Sequence, residues 1–180
     1  MKIKDLKQYL DTRSREQLIA EIGDMFSKID SVRDYYQSKL NFGYSAEVAE
    51  KYKSSIKHEF FPARGFGRAQ LSVARKAVSD YRKVSDSKFG VADVMLYYVE
   101  IGVQFTNTYG DIDEAFYNSM ESMYERVVKY IVQHRMQGQF EERCRKIVAD
   151  TSEMGWGFHD GLSYIYAEHF KEESSSESET

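Results

Sequence analysis

FGVADVMLYYVEIGVQFTNTYG followed by DIDEAFYNSMESMYERVVKYIV, Phe89 to Val132, is the stretch that decides the fold. Its first half carries Val91, Val94, Tyr98, Ile101 and Phe105 at spacings of three and four; its second carries Phe116, Met120, Met123, Val127 and Ile131 likewise. Both are amphipathic-helix patterns. Leu96, Tyr97, Val99 and Val103 fill the other side of the first, so it is apolar nearly all round, as a helix buried between others is. The pair predicts a helical hairpin that turns at Tyr109-Gly110-Asp111. Val94, Tyr98, Ile101, Phe105, Met120 and Val127 are its predicted core.

The other elements must pack around this hairpin. The chain has 180 residues, one domain's worth, with 42% hydrophobic and 30% charged side chains. A chain of this length buries roughly 70% of its unfolded surface and needs neither disulfide nor metal to fold. The single proline and 14 tyrosines point to long helices with amphipathic aromatic packing. Cys144, the only cysteine, excludes an internal disulfide; it shares a helix face with Phe140, Ile147 and Thr151 and is predicted to be a core thiol. MKIKDLKQYL has no apolar signal region, and no run approaches the ~20 residues of a membrane span. The expected setting is the cytoplasm, with no membrane. A net charge of −4 names no partner.

Read from the start, Ile3, Leu6 and Leu10 predict a short first helix. Ser14 and Gln17 form a capping-box pattern ahead of Leu18, Ile22, Met25 and Ile29. Asp30-Ser31 opens a third helix through Val32, Tyr36 and Leu40. This opening resembles a helix-turn-helix DNA module in outline, but acids and bases balance there, against a nucleic-acid role. Asn41-Phe42-Gly43 is a predicted break, with Ser45 capping a fourth helix through Ala49, Tyr52, Ile56 and Phe60. Pro62 ends it. Leu71, Ala74, Val78 and Tyr81 mark a fifth helix, and Ser85 to Lys88 link it to the hairpin. Gly138 is expected to separate the seventh helix from the eighth. Met154-Gly155-Trp156-Gly157 makes a turn before a last helix with Phe158, Leu162, Ile165 and Tyr166. Residues 1–170 thus form one predicted domain. Residues 171–180, KEESSSESET, lack apolar side chains and are expected to be a disordered acidic tail. No alternating strand pattern and no fixed-period repeat occurs.

Three strings carry a family resemblance: HEFFPARGFG (His58 to Gly67), LYYVEIGVQFTNTYGDIDEAFYNSMESMYE (Leu96 to Glu125) and GWGFHDGLSYIYAEHF (Gly155 to Phe170). With LKQYL at the start, they resemble domain-of-unknown-function family 6155 over nearly the whole chain up to about Phe170. The resemblance implies a bacterial, all-helical, single-domain protein. It brings no activity and no site residues.

Several groups of residues invite a chemical role. Asp111, Asp113 and Glu114 would suit a hard cation, but the calcium-loop spacing is missing, and capping of the second hairpin helix is the simpler role. His159-Asp160 could pair a base with an acid, joined in principle by Glu100, Glu121, His134 and His169. No Glu-x-x-His pair, zinc helix, nucleophile elbow or phosphate loop accompanies it, so Trp156, Phe158 and His159 are expected to form a packed turn. Glu100, inside the most apolar helix, needs a solvent groove, a tyrosine hydroxyl or a basic partner. From Lys51 to Lys83, nine cations meet two acids, a local +7 that leaves −11 for the remainder. That asymmetry suits an anion site or a helix pair neutralised by acids elsewhere. Arg64, Arg68, Arg75 and Lys76 are its candidate ligand-binding residues.

The sequence therefore predicts an all-α single domain of about eight or nine helices around a central hairpin, as a bundle or a short α-α superhelical array. The leading expectation is a non-enzymatic helical interaction or scaffold module with a protein partner, needing no cofactor, no metal and no catalytic residue. The alternative is an anion, phospho-ligand or nucleic-acid binder using residues 51–83. A third is a metal-dependent or acid/base enzyme using Asp111, Asp113 and His159.

Overall fold

Helix starts form where a side chain can satisfy backbone donors that the helix itself leaves free. Ser14 and Gln17 make the expected reciprocal box: the Gln17 amide donates to Ser14 Oγ at 3.2 Å and the Ser14 amide to Gln17 Oε1 at 2.9 Å. Ser87 accepts from the Gly90 amide at 3.0 Å, and Asp113 from that of Phe116 at 2.8 Å. The computed structural model describes residues 1–40 and 42–170, giving only the backbone for residues 42–45. Among the described residues there are nine helices and no strand: α1 (Ile3–Asp11), α2 (Arg15–Lys28), α3 (Asp30–Leu40), α4 (Phe42–Phe60), α5 (Leu71–Val84), α6 (Lys88–Tyr109), α7 (Glu114–Gln133), α8 (Gln137–Ala149) and α9 (Phe158–Phe170).

α6 lies at the centre of the packing, against α4, α5, α7 and α8. All six predicted core residues are buried. Phe60 enters from α4 with its ring 5.7 Å from Phe105, 6.1 Å from Tyr98 and 6.3 Å from Phe116, near edge-on to each. The buried Tyr98 hydroxyl meets Ser119 of α7 at 2.8 Å. Gly102 lets α6 approach α7, since a Cβ there would lie 2.2 Å from Met120 Sδ. The hairpin turns at Gly110, whose φ of 89° suits a residue without a side chain.

Local punctuation differs from expectation in several places. α4 starts at Phe42, so Ser45 stands in its first turn rather than ahead of it; Asn41 lies outside the described residues. Gly138 lies inside α8, and the break falls at Arg135, which takes φ 56°. Leu40 is exposed. Trp156 is 64% exposed, so the turn before α9 packs through Phe158 and not through the indole. The acidic segment 171–180 lies outside the described residues. No helix among the described residues is long and apolar enough to cross a membrane.

Candidate functional site

The N-terminal helices carry apolar side chains that the bundle does not cover. α1 lines up Ile3, Leu6 and Leu10; α2 gathers Leu18, Ile19, Ile22, Met25 and Phe26 into one arc. Polar contacts join them: the Tyr9 hydroxyl donates to Glu21 at 2.8 Å, and Arg13 stacks over the Tyr9 ring at 4.3 Å. α2 rests on α3 through Phe26 and Tyr36, ring centroids 6.4 Å apart, and Arg33 donates to the Ser27 carbonyl at 2.9 Å. Not one residue of α1 or α2 is buried; Ile3 is 69% and Ile19 58% exposed.

Met25 also borders a cleft of about 710 Å³ between α3, α4 and α5. Its floor is Asp34, only 4% exposed. The carboxylate accepts from Lys51 Nζ at 2.8 and 2.9 Å and from the Tyr52 hydroxyl at 2.9 Å. Burial, then the bond to Asp34, pushes the Tyr52 hydroxyl well above the usual tyrosine range. Tyr35, Tyr36 and Val84 form walls. Asp34 has no signal in the sequence beyond a charge on a mostly polar helix, because its partners come from α4.

The basic stretch is divided by the fold. Arg64 and Arg68 line a cleft of about 350 Å³ at the end of α4, with His58, Glu59 and Phe66. Arg75 and Lys76 line a different one, about 380 Å³, between α5 and α7. The four candidate residues therefore stand two and two. Lys51 belongs to Asp34, Lys53 to Glu50 and Asp93 at 2.9 and 2.6 Å, and Lys76 and Lys83 both to Asp80. Among the described residues, Arg64, Arg68, Arg75 and Arg82 have no carboxylate in ion-pair range. Arg126 of α7 joins Arg75 and Lys76, although it lies outside the basic stretch.

Glu100, Asp111, Asp113 and His159 each make contacts within the fold. Glu100 has its basic partner: Arg143 of α8 donates to both carboxylate oxygens, at 2.8 and 2.9 Å, and to Asp93 at 2.7 Å. Burial disfavours the Arg143 charge, but Glu100 and Asp93 outweigh it and hold the guanidinium above its ordinary range. Asp113 caps α7, while Asp111 accepts from the Tyr117 hydroxyl at 2.5 Å. Burial first, then Asp111, pushes Tyr117 up to about 12. His159 Nδ1 meets Thr151 Oγ1 at 3.1 Å and the Val148 carbonyl at 3.2 Å, and Nε2 meets Ser163 at 3.4 Å. Asp160 is exposed, and none of these partners is an acid. Among the described residues, no three His, Cys, Asp or Glu side chains gather closely enough to hold a metal ion.

The family model described as "Family of unknown function (DUF6155)" matches residues 1–171. The chain belongs to this family. No curated protein and no solved structure matches it. The DUF6155 span takes in all nine helices, and with them the uncovered N-terminal face, the Asp34 cleft and both arginine-lined clefts.

Proposed function

We propose that the chain is a non-enzymatic interaction module whose N-terminal helices dock on a protein surface, a second copy of the chain being the occupant that fits. What carries this is that α1 and α2 hold Ile3, Leu18, Ile19, Ile22, Met25 and Phe26 without burying any of them. Exposed apolar side chains grouped on one helix face mark an interaction surface more often than scattered single ones do. The charges around it favour self-association: from Lys2 to Asp30, six cations meet six acids. A balanced surface selects neither a polyanion nor a polycation, while the same patch on two subunits is self-complementary in a two-fold dimer.

Sedimentation velocity from ~10 to ~500 µM tests this by mass action. A concentration-dependent dimer is expected, lost in Ile19→Asp with Ile22→Asp. That variant should keep its helical circular dichroism, since neither side chain is in the core. A chain that stays monomeric at every concentration refutes self-docking. So does a dimer that the double variant leaves intact.

A further inference from the structure

A second surface, on α5 and α7 and so independent of the N-terminal face, concentrates positive charge in a groove. Arg75 and Arg82 lie seven residues apart on α5, which places them on one side of the helix about 10.5 Å apart along its axis. Arg126 faces the same groove from α7. Lys76 and Lys83 complete a lining of five cations and a single acid, Asp80. Asp80 is already shared by Lys76 and Lys83, which hold its carboxyl below the usual range. Nothing is left to neutralise the three arginines: among the described residues, none has a carboxylate in ion-pair range. Two helices therefore hold three guanidinium groups around one concavity, with no carboxylate paired to them among the described residues.

We infer that this groove binds the phosphodiester backbone of a single nucleic-acid strand without regard to base sequence. Guanidinium groups grip phosphate oxygens in pairs, which selects phosphate over a diffuse acidic surface. With Arg75 and Arg82 two turns apart on α5 and Arg126 on α7, a backbone of successive phosphates can engage one guanidinium each, where a lone phosphate offers a single partner. A concavity of about 380 Å³ takes a few sugar-phosphate units and is too small to admit a duplex. Its uncharged lining is Val78, Ser79 and Met123, with no aromatic ring to stack on a base and no amide to read a base edge. Binding through the backbone alone is what such a lining can do.

Fluorescence anisotropy of a labelled oligothymidylate of ~20 nucleotides, repeated across a salt series, tests this. Three phosphate contacts on a single strand predict a log-affinity against log-salt slope of about −2. Each of Arg75→Gln, Arg82→Gln and Arg126→Gln should flatten that slope by about 0.7. All three together should abolish binding while the helical circular dichroism persists, and Arg64→Gln with Arg68→Gln should leave it unchanged. Should the triple variant lose its fold, the three single-variant slopes decide. The inference is overturned by any of four results: no binding at low salt, slopes unmoved by the single variants, loss through Arg64 and Arg68 instead, or a preference for duplex. Tripolyphosphate competing as well as the oligonucleotide, phosphate for phosphate, would assign the groove to free oligophosphate and likewise overturn the strand.

Discussion

Replacing Arg143 with methionine should destabilise the bundle far more than any surface ion pair would. The guanidinium makes three charge-assisted bonds at 2.7 to 2.9 Å, two to Glu100 and one to Asp93, and thereby ties α8 to α6. Asp93 also receives Lys53 of α4 at 2.6 Å, so one network joins three helices. Removing one partner from a fully buried pair costs about 3–5 kcal/mol, chiefly because the remaining charge is stranded. Here the Arg143 and Glu100 side chains keep 33% and 30% of their exposure, so water softens the loss. About 1.5–3 kcal/mol is expected for Arg143→Met, which also gives up the guanidinium's place over the Phe140 ring. Glu100→Gln beside it should cost less than it does alone, with a coupling of about 1 kcal/mol between the two sites. Urea unfolding followed by circular dichroism measures both, provided the m-value is unchanged. A loss under about 0.5 kcal/mol for Arg143→Met, or strictly additive variants, would show that the network is a solvated decoration.

Phe105→Ala should cost about 3–5 kcal/mol in the same titration, because four other aromatic rings close around that ring. Gly102→Ala should destabilise by about 1 kcal/mol, since the new methyl meets fully buried Met120 Sδ at 2.2 Å and the overlap outweighs the helix-propensity gain. Asp113→Ala should cost about 1 kcal/mol by removing the α7 cap. Cys144 should resist a thiol reagent at pH 8 until urea unfolds the chain, because burial pushes its thiol up to about 12. The sign of the linked stability follows: above about pH 9 the unfolded thiol ionises while the folded one does not, so stability falls with rising pH, by up to about 1.4 kcal/mol per unit from this group.

What was legible in the sequence was local. The spacing of Val94, Tyr98, Ile101 and Phe105 reports a buried face because a helix repeats that face every turn, whatever lies opposite. Ser14 with Gln17, and Asp113 before Phe116, cap their helices across only three residues. Glu100 was visibly in need of a partner, but Arg143 is 43 positions away and nothing in either segment names the other. Asp34 looked like one more exposed charge; Lys51 and Tyr52 make it a buried acceptor only once α4 folds back on α3. Trp156 misled in the other direction, since a large ring beside glycines suggests packing, while the indole stands exposed on a residue with φ 60°.

The basic stretch shows why charge counted along a chain is a poor guide to charge gathered in space. Two of the four arginines and lysines proposed from the sequence sit where the chain leaves α4, and two sit on α5, because helix α5 carries the later pair away from the loop. Arg82 follows from helical spacing to Arg75, two turns on, and could have been found by asking which cations share a face. Arg126 could not: its segment alternates Glu121, Glu125 and Lys129 and reads as an ordinary charged helix surface. It joins Arg75 and Arg82 only because α5 and α7 both pack on α6, which brings their cations to one cleft. The acids next in line are used up locally, Glu125 by Lys129 and Asp80 by two lysines, so among the described residues three guanidiniums remain without one. A surplus of that kind is a property of the folded surface, and it directs the search for a ligand to the α5–α7 groove before the cleft of Arg64 and Arg68.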